Sequence, residues 1–158
     1  MQRGTTLFLK VVVLLVGLGA LVGMVWFPQV EGRNANAALA DIYLRDPFLA
    51  YAYLASVPFF LALYQAFRLL GYVARDRAFS PAAVAALRTI KFCAVAIIGF
   101  IAVGGVILLV FGEEDRAGVL ALGLYSACAV AIVGTAVAIL QRLLQRAVEL
   151  QAEHDLTV

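Results

Sequence analysis

Four long apolar runs dominate the pattern of hydrophobic and polar positions along the chain, and short polar segments separate them. Each run has close to the roughly 20 residues that a helix needs to cross a bilayer core of about 30 Å. None of them alternates polar and apolar residues as transmembrane strands do. The pattern predicts an all-α fold, an integral membrane four-helix bundle with spans at about residues 7–27, 47–70, 90–112 and 117–140.

The composition agrees with a membrane-embedded chain. Apolar residues make up 65% of the 158 residues and charged residues 14%, against about 25% in ordinary soluble domains. These values exclude a soluble globular domain, a disordered chain and a protein that binds nucleic acid directly through a basic face. We therefore expect one membrane domain over residues 1–158, surrounded by the lipid bilayer.

The basic residues near the helix ends predict the orientation, because Lys and Arg accumulate on the cytoplasmic side. Nine fall on one side and three on the other, so the side with nine, which includes both termini, is expected in the cytoplasm. The nine are Arg3, Lys10, Arg68, Arg75, Arg77, Arg88, Lys91, Arg142 and Arg146, and the three are Arg33, Arg45 and Arg116.

The first apolar run has a second interpretation, a secretory signal that follows Arg3 and Lys10. The segment 38–40 has the small-x-small form of a cleavage site. The run is long for a signal, however, and the segment lies far beyond its end. A retained first span is the interpretation that we carry forward.

The first outer loop, 28–46, is longer than a simple turn. Leu39, Ile42 and Tyr43 have helical spacing, which predicts a short helix on the outer membrane surface. Asp46 is a candidate cap for the second helix. Pro58 removes a backbone hydrogen bond inside that helix, and the resulting kink serves either packing or gating.

The inner loop contains signals for the end of one helix and the start of the next. Gly71 is the predicted stop of the second helix, whereas Ser80 and Pro81 are typical of an N-cap and a first helical position. Phe79 and Val84 occupy the positions of a hydrophobic staple. A third helix over 81–111 would be about 46 Å long and would project into the cytoplasm.

The fourth helix is predicted to continue through a cytoplasmic extension, 141–153, to a tail at 154–158. Apolar residues at helical spacing form a stripe along this extension. Either the stripe covers the projecting third helix, or it binds another protein. The first alternative requires Phe79 or Leu87 to contact the stripe of Leu143, Leu144, Ala147 and Leu150.

Small residues recur at every fourth position in two places, as expected for helix contacts in lipid. Gly19 and Gly23 form a GxxxG pair in the first helix. These stripes predict packing within the chain, with formation of a homo-oligomer as the alternative. The second stripe contains Gly123, Ala127, Ala131 and Thr135.

Several kinds of chemistry lack the residues they need. The bilayer centre contains no ionisable group, and the only histidine, His154, lies in the tail. No His/Cys/Asp/Glu cluster has metal-ligand spacing, and no catalytic triad is present. Cys93 and Cys128 are predicted at different depths in the membrane, which argues against a dithiol pair. We predict no catalytic residue, no metal or cofactor site and no enzymatic activity.

Polar and aromatic residues inside the runs leave one alternative function open. Trp26 and tyrosines near the helix ends are typical of an interfacial belt, and a ligand cage is the alternative. A small transporter or channel component would need a polar path through the bundle. Its candidate lining residues are Ser56, Tyr64, Gln65, Ser126 and Thr135.

The inner loop and the tail together resemble a bacterial four-helix membrane family, domain of unknown function 2975. The loop carries Arg77-Ala78-Phe79-Ser80-Pro81 followed by Leu87-Arg88-Thr89-Ile90, and the tail carries Glu153-His154-Asp155-Leu156-Thr157-Val158. The resemblance implies a multi-pass protein of the bacterial inner membrane. It also implies a partner, since such proteins are typically encoded beside a small cytosolic helix-turn-helix regulator of the Cro/repressor type.

These features predict a membrane regulatory or scaffold protein that binds a soluble partner. The tail regains apolar residues at the chain end, where disordered tails usually stay polar. It is expected either to fold back on the basic inner loop, or to extend and bind the partner, and a frayed terminus is the third alternative. The candidate partner-binding residues are Arg75, Arg77, Phe79, Asp155, Leu156 and Val158.

Overall fold

The computed structural model describes residues 2–30, 38, 40–41, 47–112 and 116–157, and helices make up nearly all of them. The helices are α1 (Gln2–Val30), α2 (Pro47–Ala74), α3 (Pro81–Phe111) and α4 (Arg116–Leu156). Each is long and apolar enough to cross a membrane, which confirms the predicted all-α fold with four spans. The predicted surface helix at Leu39, Ile42 and Tyr43 and the cap at Asp46 lie outside the described residues.

The helices pack in chain order. Within the described ranges, extensive contacts join α1 to α2, α2 to α3 and α3 to α4. The inner faces therefore form three seams between consecutive antiparallel helices, and the outer faces leave most large apolar side chains exposed. Such faces are suited to lipid, which is as apolar as the side chains themselves.

The closest seam joins α3 and α4 and is made by small residues. A Cβ atom added at Gly134 would lie 3.0 Å from the Cβ of Ala94, and one added at Gly123 would lie 3.5 Å from Ile101. At the far end of the seam, a Cβ at Gly105 would lie 3.6 Å from Leu120. The small residues thus let the two backbones approach each other closely along the seam.

This seam corrects the predicted stripe of every fourth residue in α4. Gly123 and Ala127 are half-buried as expected, but Ala131 and Thr135 are exposed. A strict spacing of four advances about 40° around the helix at each step, so the stripe drifts away from α3. The half-buried positions Leu120, Gly123, Ala127, Val130 and Gly134 instead alternate spacings of three and four, as in a coiled coil.

Two tyrosines of α2 connect it to both neighbouring helices. The Tyr51 hydroxyl donates a hydrogen bond to the carbonyl of Phe100 in α3, and its ring lies beside Gly104, 3.1 Å from an added Cβ. The Tyr53 hydroxyl donates to the carbonyl of Met24 in α1 over 3.1 Å. Both tyrosines, which were predicted to lie at the membrane interface, therefore also hold neighbouring helices together.

The glycine pair of α1 has a different environment from the one predicted. A Cβ added at Gly19 or Gly23 would meet no atom of the described chain within 4 Å, whereas one at Gly17 would lie 3.5 Å from Leu63 of α2. The prediction that Gly19 and Gly23 pack inside the chain is therefore wrong. Gly17, on the neighbouring face, makes the close approach to α2.

The end of α2 lies three residues beyond the predicted stop at Gly71, which is inside the helix. The residue that adopts the left-handed conformation is Asp76, with φ of 56°. The Arg77 amide donates to the Tyr72 carbonyl over 2.8 Å, and the Asp76 amide donates to Val73 over 3.2 Å. These are the two bonds of a Schellman motif, in which Asp76 takes the position usually occupied by glycine.

The start of α3 confirms the predicted cap. Ser80 has an extended backbone, its hydroxyl accepts a hydrogen bond from the Ala83 amide over 3.3 Å, and Pro81 opens the helix. The Ser80 hydroxyl also donates to the Arg77 carbonyl over 2.8 Å, which ties the cap to the preceding Schellman motif. The loop between α2 and α3 is thus fixed by its own backbone hydrogen bonds.

The largest helix, α4, extends beyond the start of α3. Gly134 of α4 packs beside Ala94 of α3. From this contact, α3 continues for 13 residues to Pro81, whereas α4 continues for 22 residues to Leu156. The last nine residues of α4 therefore reach roughly 13 Å beyond the first residue of α3. Of these nine, Val148 and Glu149 still line a groove with residues of α3, whereas residues 150–156, which we call the free end of α4, are all exposed.

Candidate functional site

The helix ends that carry the nine basic residues form one end of the molecule, which we call the basic end. It consists of the start of α1, the end of α2, the loop 75–80, the start of α3 and the end of α4. Antiparallel packing brings these five segments to the same end. Among the described residues of the basic end, the acids are Asp76, Glu149, Glu153 and Asp155.

The best-packed part of the protein lies at the basic end, between α3 and α4. Five of the six buried apolar residues of α3 have at most 8% of their surface exposed, and Leu87 has 2%. The set consists of Ala83, Val84, Ala86, Leu87, Cys93 and Ala94. A rigid helical hairpin therefore supports whatever side chains this end presents.

A shallow groove of about 260 Å³ runs over this hairpin. Arg88 on α3 and Glu149 on α4 both line it, and the Gln145 amide donates a hydrogen bond to the Glu149 carboxylate over 3.2 Å. The floor is apolar, and the remaining lining residues are Pro81, Val84, Ala85 and Val148. The groove is open to the outside and offers an apolar floor with one charge of each sign.

Gln141 is buried in the α3–α4 seam, one helical turn before Gln145. Its surface is 5% exposed, and its side-chain oxygen accepts no hydrogen bond in the described part of the chain. A buried polar group without a partner costs about 1–3 kcal/mol. The seam is therefore less stable than an apolar residue at this position would make it.

We expect Gln141→Met to raise the free energy of unfolding by about 1 kcal/mol, because the substitution keeps the shape and removes the unsatisfied amide. Titration of the purified protein from mild detergent into SDS would measure the change. Gln145→Met is the control, since it removes the hydrogen bond to Glu149 and is expected to bring no gain. A loss of stability in Gln141→Met would contradict the interpretation that the buried side-chain oxygen of Gln141 lacks a hydrogen-bond partner.

The predicted contact between the loop and the α4 stripe is corrected in part. Phe79, Leu143 and Leu150 are 61%, 58% and 66% exposed, so these side chains do not make the seam. Leu87 is buried as expected, and Leu144 and Ala147 are half-buried. The face of α4 turned to α3 passes instead through Gln141, Gln145 and Val148, and Leu143 and Leu150 lie about half a turn away, on the opposite side of the helix.

The candidate partner-binding residues lie at the surface. Arg75, Arg77 and Phe79 are exposed in the loop, and Asp155 and Leu156 are exposed at the end of α4. Val158 lies outside the described residues. The structure thus places five of the six predicted residues at the basic end, on two separate segments.

The predicted fold-back of the tail on the inner loop is wrong for the described residues, and so is the added strand, whereas binding of the tail to a soluble partner as a short anchor stays a prediction. The chain stays helical through Leu156, which is 87% exposed, so the tail neither folds back nor extends as a strand. The Thr157 hydroxyl donates to the Glu153 carbonyl over 2.8 Å, which continues the helical geometry. The absence of Gly and Pro after Leu140 allows this continuation.

The residues proposed to line a transport path do not converge. The hydroxyls of Ser126 and Thr135 donate to carbonyls of their own helix over 2.8 and 2.7 Å, and both residues are exposed. Ser56 likewise donates to the Tyr53 carbonyl over 2.6 Å. Tyr64 is 58% exposed on α2. These four residues therefore do not form a common polar path in the described chain, and the fifth, Gln65, is half-buried on α2.

A search for metal-binding clusters of three or more His, Cys, Asp or Glu finds none within the described ranges. Cys93 is buried in α3 and Cys128 is exposed on α4, and both are free thiols. The described residues thus offer no such group of metal ligands.

Sequence reasoning missed the aromatic contacts of two cations at the basic end, Lys10 on α1 and Arg68 on α2. The Lys10 ammonium of α1 lies 5.1 Å from the centroid of the Phe67 ring and 3.7 Å from a Cβ added at Gly71. On α2, the Arg68 guanidinium donates to the Tyr72 hydroxyl over 2.8 Å and lies 5.9 Å from the Tyr64 ring. The sequence signal for the Lys10 contact was Gly71, which lies inside α2 beside the ammonium but was interpreted as the stop of that helix.

Comparisons with known proteins agree with the membrane fold. The family model described as "Protein of unknown function (DUF2975)" matches residues 32–158. The chain is similar to the uncharacterized membrane protein YoaS of Bacillus subtilis (strain 168), with 36% identity over 160 residues that cover 100% of both chains. No solved structure matches the chain. Both sequence matches include the loop and tail segments that carried the resemblance.

Proposed function

We propose that this chain, which belongs to the DUF2975 family of membrane proteins, is a membrane-embedded scaffold whose basic end binds a soluble cytosolic protein. The observation that carries the proposal is the free end of α4. Leu150 and Leu156 are 66% and 87% exposed there, beyond the start of α3. In this proposal, the protein lies in the bacterial cell membrane with both termini in the cytoplasm.

The composition of the free α4 end favours a protein partner over lipid. Glu149, Glu153 and Asp155 flank the exposed leucines, and carboxylates are costly inside a bilayer. Exposed apolar side chains rimmed by polar ones are typical of protein interaction sites. The loop supplies a second contact segment of opposite charge, with Arg75 and Arg77 exposed.

The partner that we propose is a small helix-turn-helix regulator of the Cro/repressor type, as the family resemblance implies. Such a regulator is soluble and cytosolic, so it would meet the basic end in the proposed orientation. Binding it would hold a transcriptional regulator at the membrane. The proposal assigns no chemical reaction to this chain.

We expect Leu150→Glu to weaken binding of the purified regulator by at least about tenfold, because it replaces an apolar anchor with a charge. The full-length protein in lipid nanodiscs would be immobilised and the regulator titrated over it. Gln151→Glu is the matched control, since it adds the same charge at an exposed neighbouring position. Equal affinity for the wild type and Leu150→Glu, or no binding to the wild type, would contradict the proposal.

A further inference from the structure

We propose that Lys10 and Arg68 form a binding site for the headgroup phosphate of an anionic phospholipid. Lys10 lies in the seam between α1 and α2, where it is half-buried. Its ammonium contacts the Phe67 ring of α2 from above at 5.1 Å. This site is separate from the free end of α4 and from its proposed partner.

The charge balance around Lys10 calls for an external anion. Neither α1 nor α2 contains an Asp or a Glu, and no carboxylate within the described ranges pairs with Lys10 or Arg68. The aromatic contact attracts the ammonium but leaves its charge in place. A half-buried cation without a counter-ion gains from a phosphate oxygen, which accepts its hydrogen bonds.

Arg68 is held in place for the same role by two tyrosines. Its guanidinium lies 5.9 Å from the Tyr64 ring and 5.8 Å from the Tyr72 ring, and one nitrogen donates to the Tyr72 hydroxyl over 2.8 Å. Arginine has five N–H donors in a planar fork, so donors remain for a phosphate. The residue is exposed, which leaves them accessible from the side of the molecule.

The depth of both cations matches that of lipid headgroups. Lys10 is the last charged residue before the apolar run that begins at Val11, and Arg68 is the first after the run that begins at Pro47. Antiparallel packing brings the two positions to the same level, because Phe67 and Gly71 both lie beside Lys10. Cations at the ends of charge-free spans lie at the interface, where phosphates are found.

Gly71 gives the site its shape. An added Cβ would lie 3.7 Å from the Lys10 ammonium, in ordinary contact, so a longer side chain would displace the ammonium from the seam.

The test compares lipid retention by the full-length protein and its variants in detergent, measured by native mass spectrometry with added phosphatidylglycerol. Lys10→Met is expected to weaken retention about fivefold, the factor that corresponds to the roughly 1 kcal/mol of one basic residue at an anionic surface. Gly71→Leu is expected to do the same, although it keeps both charges. Lys91→Met is the matched control, because Lys91 also lies over a ring, 5.3 Å from Phe92, but within its own helix.

Retention that falls in Lys10→Met and Gly71→Leu but stays within about twofold in Lys91→Met would support the site. An equal loss in both lysine variants would overturn it, because general attraction to the basic end would then explain the binding. Equal retention of phosphatidylcholine would also overturn it. A second measurement would compare how much inorganic phosphate and phosphatidylglycerol each raise the thermal stability of the protein. An equal rise with inorganic phosphate alone would assign the site to free phosphate and overturn the proposed lipid site. If Lys10→Met does not fold, Gly71→Leu decides the outcome.

Discussion

Replacing Leu87 by alanine is expected to lower the free energy of unfolding by about 2–5 kcal/mol, the usual cost of a large cavity in a packed site. Leu87 is 2% exposed in the best-packed part of the protein, at the basic end of α3. Ala83, Val84 and Ala86, which precede it within one helical turn, are also buried, so the cavity has little room to collapse. The change would be measured by titration from mild detergent into SDS.

Leu143→Ala is the matched control for this substitution. Leu143 belongs to the stripe that sequence spacing assigned to the same contact, but it is 58% exposed. Its truncation is expected to change stability by no more than about 0.5 kcal/mol. A larger loss for Leu143→Ala than for Leu87→Ala would mean that the sequence pattern located the seam correctly and the structure did not.

The second large effect is expected at Gly134, where α3 and α4 approach most closely. Gly134→Leu would place a side chain where an added Cβ is already 3.0 Å from the Cβ of Ala94. The helices would have to separate, at a cost of about 1–3 kcal/mol or more. The same SDS titration would measure the loss.

Two further variants make the Gly134 result specific. Gly19→Leu introduces the same side chain in α1, where nothing lies within 4 Å, and is expected to leave stability unchanged. Ala94→Gly combined with Gly134→Leu opens space on the facing helix and is expected to recover part of the loss. Equal losses at Gly134 and Gly19 would show that the effect is not one of close packing.

The sequence predicted the four helices, and both ends of α3, because local signals determine them. The start of α3 at Pro81 and its end at Phe111 agree with the prediction, since the Ser80 hydroxyl caps the helix and Pro81 is suited to its first position. The end of α2 was misplaced because the left-handed position is held by Asp76, whereas glycine is the usual residue there. The family resemblance drawn from the loop and tail is confirmed.

The side chains that face the seams could not be predicted from hydropathy. Lipid is as apolar as a helix interface, so Leu87, which is buried, and Leu143, which is exposed, have the same preference for an apolar environment. The sequence signal for the α3–α4 seam was the alternation of three- and four-residue spacings along α4. It was missed because small residues also recur at every fourth position, and that pattern was taken for the interface. The contact of Lys10 with Phe67 and Gly71 depends on the register of α1 against α2, which no local pattern specifies.

The orientation of the basic end is the claim on which the proposed scaffold function depends, and cysteine labelling in intact cells tests it most directly. In a background with Cys93→Ala and Cys128→Ala, one cysteine would be placed at Ala152, on the exposed end of α4, or at Glu114, between α3 and α4. A membrane-impermeant maleimide is expected to label Glu114→Cys in intact cells and Ala152→Cys only after the membrane is opened. Labelling of Ala152→Cys in intact cells, with Glu114→Cys protected, would contradict the account.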